Sequence, residues 1–202
     1  MQPKPSPLTA TEYLNREQQS PVKHEFVDGE VYAMSGATRR HNLIAGNLLA
    51  LTHAAARERD ECQAFGSDMK VHVEMHNSFY YPDVSVCCDR NDRHELYLVR
   101  PCFIVEVLSP STASIDRREK RASYTTIESL REYAIVDQDR MHVELYRRNA
   151  GGWQGYLLNQ SDDAVESTCL GLRMALRQVY EGVEFPPQVA ESAAADHAGA
   201  GG

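Results

Sequence analysis

Glu106 is an acid in an unusual place, inside the run Phe103-Ile-Val-Glu-Val-Leu108, which is apolar on both strand faces. Such a run marks a central strand covered from both sides. A carboxylate there is costly to desolvate unless it is paired or holds a cation. Asp83 is the second such acid; it follows Pro82 and shares a strand face with Tyr81 and Ser85. If the two strands are neighbours, their carboxylates meet at adjoining ends and suit a hard divalent cation such as Mg2+. The plainer alternative has Asp83 capping a turn and Glu106 paired with an arginine.

The segment after Glu106 adds cations. Asp116, Lys120 and Tyr124 are spaced i, i+4, i+8 and share one helix face, with Arg117 and Arg121 in an adjacent row. Residues 111–124 carry four basic and two acidic side chains. That helix could offer Lys120 to the carboxylate pair and its arginines to a phosphate backbone. In the plainer reading it is a solvated helix whose Asp116 and Lys120 form a surface ion pair.

The elements that must position these groups are legible in outline. Thr9 or Thr11 caps a helix over residues 9–19. Asp28-Gly29 between two alternating runs predicts a hairpin over residues 24–34. Residues 39–59 keep a helical apolar period through Leu43, Ile44, Leu48, Leu51 and Ala55. Strands are expected at residues 67–74, 79–88 and 102–108, then a helix over 114–128. Further strands are expected at 133–137, 141–147 and 153–158, and a closing helix near 172–180. Strands and helices mix without strict alternation, so the expected class is mixed α+β, an α/β arrangement with a mixed central sheet.

Composition bounds the function. The 202 residues are 42% hydrophobic and 25% charged, enough for one domain with a core of its own. Residues 1–8 and 186–202 read as disordered tails around a domain at 9–185. A net charge of −8 argues against nucleic-acid binding by bulk electrostatics; it calls for a local basic patch or bridging metal ions. The five cysteines (62, 87, 88, 102 and 169) form an odd set with no CxxC pair. They read as reduced thiols, mostly in the core, and Cys87 and Cys88 point to opposite faces of one strand. No apolar leader and no membrane-length run is evident, so a cytoplasmic, non-membrane protein is expected. Nucleophile elbows, HExxH, glycine-rich phosphate loops and zinc-type Cys/His spacings are absent from the sequence.

Taken together, Pro82-Asp83, the 104–112 segment, Asp116 to Lys120, Tyr124 and the Glu-Tyr-Ala-Ile-Val-Asp run at 132–137 resemble the Uma-type restriction endonuclease family. That family lies in the PD-(D/E)xK nuclease superfamily. The resemblance reaches upstream through residues 25–34 and His41 and downstream to 143–147, covering roughly residues 8 to 183. It implies a restriction endonuclease-like core, a mixed sheet flanked by helices with added antiparallel hairpins. It also implies Mg2+-dependent (or Mn2+-dependent) endonuclease action on DNA. By resemblance Asp83 and Glu106 are the metal-binding acids. Leu108 stands where the signature places lysine, and Lys120 on the following helix takes that role. Glu30 is the first candidate for a further acidic ligand, with Glu25 behind it, while His41 and Tyr124 are auxiliary. Arg117 and Arg121 would meet the DNA backbone. A homodimer is implied, since one site cuts one strand at a time. The rival reading is a nuclease-derived module that binds nucleic acid or a protein partner and cuts nothing.

Overall fold

The structure is a computed structural model that describes residues 7–109 and 116–186, apart from the side chains of Asp116 and Arg117. Segment 110–115 and most of both expected tails lie outside the described residues. Pro7 and Leu8, expected in the tail, instead lie along a turn of the domain: the Leu8 amide donates to the Gly29 carbonyl at 3.1 Å.

Helix α1 (Ala10–Glu17) opens with a capping box, in which the Thr9 side chain and Glu12 satisfy each other's backbone amides. The hairpin forms as expected from β1 (His24–Val27) and β2 (Glu30–Ala33). Asp28 and Gly29 both take positive φ, 47° and 93°, as a tight turn matched to strand twist requires. A Cβ at Gly29 would lie 2.6 Å from the Pro7 Cβ. Gly29→Ala is therefore expected to destabilise the fold by about 1–3 kcal/mol, read as a lower urea midpoint with an unchanged m-value.

Helix α2 (Arg39–Arg57) is capped by Thr38. Beyond it come β3 (Gln63–Gly66), β4 (Lys70–Val73), β5 (Ser78–Tyr80), β6 (Val84–Cys87), β7 (Tyr97–Leu98) and β8 (Phe103–Leu108). The single strand expected over residues 79–88 is two strands in two sheets. Pro82 has no amide to donate, and the chain leaves one sheet at Tyr80 and enters the other at Val84. Then a π-helical turn (Asp116–Lys120) runs into one α-turn, α3 (Arg121–Tyr124), and the helix ends well short of the expected residue 128.

The remainder is β9 (Glu132–Asp137), β10 (Val143–Asn149), β11 (Gly152–Leu158), β12 (Ala164–Ser167), β13 (Leu172–Ala175) and α4 (Leu176–Val179). The closing helix expected near 172–180 is thus half strand. Residues 172–175 pair with β12, and the Gln178 side chain caps the short turn after them. Strands β3, β7 and β12 had no expectation of their own.

The central sheet has the order β11-β10-β9-β8-β6-β3, parallel only between β8 and β9. A five-stranded sheet, β2-β1-β5-β4-β7, packs on one of its faces and α2 on the other. Strand β8 lies between these layers. Phe103, Val105 and Val107 join the core beneath α2, while Ile104 and Leu108 join the core between the sheets. Glu106 falls on the second face, so it is 3% exposed. The class is mixed α+β as expected, and the added antiparallel strands form a second sheet that covers one face of the central one. Among the described residues, no helix is long and apolar enough to cross a membrane.

Candidate active site

Antiparallel pairing of Val84 with Val105 fixes where the acids meet: Asp83, one step before β6, falls opposite Glu106 of β8. The Asp83 Oδ2 accepts the Val107 amide at 2.7 Å and lies 3.3 Å from His41 Nε2. His41 is held there by a strap at the N-terminus of α2. The Thr38 hydroxyl caps the helix by accepting the His41 amide at 3.1 Å, and donates to Gln138 Oε1. Gln138 Nε2 in turn donates to the Leu108 carbonyl at 2.8 Å. The strap ties α2 to the ends of β8 and β9.

Among the described residues, Glu106 meets Lys120 and Tyr124 of the helical segment. Tyr124 donates its hydroxyl to Glu106 Oε1 at 2.9 Å, and Lys120 Nζ lies 3.4 Å from the same oxygen. The helix-face spacing of these two residues is what brings them to one carboxylate. The π-turn that delivers Lys120 is a rare form that recurs at functional sites. Lys120 is not a surface cation; it is 4% exposed and stands 5.7 Å from the Tyr80 ring centroid. It lies closer to Glu25 Oε1, at 2.7 Å, than to Glu106. Glu25 also accepts the Tyr81 amide at 3.3 Å.

Of the two auxiliary acids, the structure brings in the one ranked second. Strand β1 is interior, paired with both β2 and β5, whereas β2 is an exposed edge. Glu25 therefore faces Lys120. Glu30, first in the sequence ranking, lies at the exposed start of β2 and accepts the Tyr32 hydroxyl at 2.8 Å. It is not part of the cluster. Arg121 lies over the Tyr146 ring, 4.9 Å from its centroid, and donates to the Tyr146 hydroxyl at 2.8 Å. The Arg117 side chain and the Ser/Thr run through residue 115 are outside the described residues.

Burial, with Glu106 and Glu25 nearby, holds the Tyr124 hydroxyl well above the ordinary tyrosine range. The proton therefore stays on Tyr124 and the hydroxyl remains a donor. Below pH 10 (about the free tyrosine value) both folded and unfolded chains keep that proton. Above it the unfolded chain loses the proton first, so stability falls as pH rises. Tyr124→Phe is expected to flatten this alkaline loss. At neutral pH it removes a hydrogen bond to a charged group, worth about 1.5–3 kcal/mol. Urea unfolding at pH 7 and pH 10.5 reads both effects.

The residues fit a hard cation. Asp83 and Glu106 supply oxygens from adjoining strands, and Asp83 Oδ1 accepts no hydrogen bond among the described residues. Mg2+ keeps most of its waters and takes one or two protein carboxylates, the remainder coming from substrate phosphate. Two acids flanked by a lysine meet that requirement.

This arrangement of a mixed central sheet with helices and a second sheet around it is a restriction endonuclease-like fold. It is shared with a crystal structure from Anabaena variabilis described as a "putative nuclease belonging to DUF820" (TM-score 0.71, 17% identity, covering 86% of this chain and 98% of that one). The chain belongs to the Uma2 family, "Putative restriction endonuclease", which matches residues 10–177. Among relatives, the Synechocystis protein slr1290 is 35% identical over 179 residues, spanning 88% of this chain and 94% of its own length. A second Synechocystis protein, sll1609, is 38% identical over 144 residues, 70% of this chain and 81% of its own.

Proposed function

We propose that the chain is a divalent-metal-dependent endonuclease that hydrolyses DNA phosphodiester bonds in the cytoplasm. The observation that carries this reading is the junction of Asp83, Glu106 and Lys120 at one end of the central sheet, with Lys120 Nζ 3.4 Å from Glu106 Oε1. Family membership supports the reaction class.

Asp83 and Glu106 would hold Mg2+ or Mn2+, the ion supplying Lewis acidity toward a phosphoryl oxygen and a lower pKa for bound water. Lys120, anchored by Glu25, holds its ammonium beside Glu106, where it orients the attacking water and offsets charge on the phosphate. His41 and the Val107 amide fix the Asp83 carboxylate. Tyr124 keeps its proton and fixes Glu106. Arg121, with Arg117, would lie along the DNA backbone. A homodimer would present two such sites to the two strands.

The test uses the full chain on single-stranded, double-stranded and branched DNA, with Mg2+, Mn2+ or EDTA. Cleavage that needs the metal and is lost in Asp83→Asn is the expected result. Intact DNA retained in a gel shift, with no cleavage under any metal, would favour the non-catalytic binding module. One contact favours that second reading, for Lys120 sits closer to Glu25 than to Glu106, at 2.7 Å against 3.4 Å.

A further inference from the structure

The cysteines depart from expectation. Four of the five, expected as separate reduced thiols, come together as two disulfides, Cys62–Cys88 and Cys102–Cys169, and Cys87 alone is free. Cys87 points to the opposite face, as expected, and burial pushes its thiol up to about 11. The other four converge from separate places: just before β3, just after β6, just before β8, and the turn between β12 and β13. The pairs are also close to each other. The Cys102 and Cys88 sulfurs are 3.8 Å apart, and those of Cys88, Cys102 and Cys169 all lie within 4.8 Å of one another.

We propose that, once reduced, Cys62, Cys88, Cys102 and Cys169 form a tetrahedral zinc site that ties these four segments together. Four thiolates at about 2.3 Å from a zinc ion stand about 3.8 Å apart, which is the separation already found between the Cys88 and Cys102 sulfurs. Cys62, bonded to Cys88 and outside the trio of Cys88, Cys102 and Cys169, supplies the fourth ligand once its disulfide opens. Three of the four flank strand ends of the central sheet, so the backbone that carries them is fixed before any ion binds. Ser167 Oγ, 3.4 Å from Cys169 Sγ, is placed to donate to a thiolate there. Arg100 and Arg131 line an adjoining cavity of about 430 Å3 with Cys88, Cys102 and Cys169. Arg100 is paired with Asp89 of the same cavity at 2.9 Å, so Arg131 is the cation left to favour the thiolate form and oppose the net −2 of a four-thiolate zinc centre. A soft sulfur set selects zinc over magnesium. The site is independent of the acidic cluster: Cys102 precedes Glu106 by four residues of one strand, about 13 Å, at the other end of the sheet.

The chemistry balances. Each disulfide takes two electrons and two protons from a cellular dithiol, which leaves as a disulfide, or two electrons from a phosphine and two protons from water, whose oxygen leaves on the phosphine oxide. The four thiols then release four protons as zinc binds. A reducing compartment keeps these cysteines in the binding form.

The experiment treats the full-length chain with a phosphine under anaerobic conditions, removes the phosphine and adds Zn2+ or Co2+. One zinc per chain by native mass spectrometry is expected, together with the strong visible bands of tetrahedral cobalt thiolate. Cys102→Ser and Cys169→Ser should lose the cobalt bands, while Cys87→Ser and Asp83→Asn keep them. Retention in Asp83→Asn separates this site from the acidic one. If either serine variant misfolds, the cobalt spectrum of the wild-type chain still decides. No metal uptake by the reduced chain, an iron–sulfur chromophore in place of zinc, or undiminished bands in both serine variants would overturn the proposal.

Discussion

Glu106→Ala is expected to lower metal-dependent DNA cleavage by at least about 100-fold while the chain stays folded. Glu106 touches both helical donors, Lys120 at 3.4 Å and Tyr124 at 2.9 Å, so its loss empties the centre of the cluster. The folded state tolerates this because Lys120 keeps its shorter partner, Glu25, at 2.7 Å. Leaving a buried charge with no partner costs about 3–5 kcal/mol, and here that penalty is avoided. Tyr124 loses only a hydrogen bond. Glu106→Gln should lose the same activity with less disturbance, since the amide oxygen can still accept from Tyr124. Initial rates on duplex DNA in Mg2+, beside urea midpoints for both variants, separate chemistry from folding. Cleavage unchanged in both would sink the assignment of Glu106.

What the sequence made legible follows the range of the forces involved. The Asp28-Gly29 turn and the Thr9 cap are decided within a few residues, and both form as expected. The burial of β8 on both faces follows from an unbroken apolar run, and Lys120 and Tyr124 share a face because helical spacing is local. The ranking of Glu30 over Glu25 failed for another reason. Both acids belong to one hairpin, and only the pairing of β1 with the distant β5 makes one strand interior and the other an edge. The break at Pro82 was visible as a residue but not as a change of sheet. The cysteine cluster is the extreme case. Its bonded pairs are 26 and 67 residues apart, and no spacing rule reaches across such separations. The register that places Cys88 and Cys102 at one end of neighbouring strands also places Asp83 and Glu106 at the other.

Lys120→Met is expected to lower stability by about 3–5 kcal/mol and to abolish cleavage. The ammonium is the only cation seen contacting Glu25 and Glu106 among the described residues, and its removal puts an apolar side chain against the part-buried Glu25 and the buried Glu106. A loss of activity from this variant alone would be ambiguous, because partial unfolding gives the same result. The pairing suggests a way to divide the two. Glu25→Gln combined with Lys120→Met removes one of the stranded charges, and the double variant should regain a large part of the lost stability through coupling of 0.5–3 kcal/mol, the usual range for groups in contact (about that size). Glu106, still held by the Tyr124 hydroxyl, is then the one remaining acid. Urea midpoints for the wild type, both single variants and the double variant give the coupling, and cleavage rates on the same four proteins give the chemistry. A double variant that is restabilised yet inert assigns Lys120 to the reaction. One that is restabilised and cuts DNA at the wild-type rate would reduce the lysine to a buried strut, with Asp83 and Glu106 as the reacting pair.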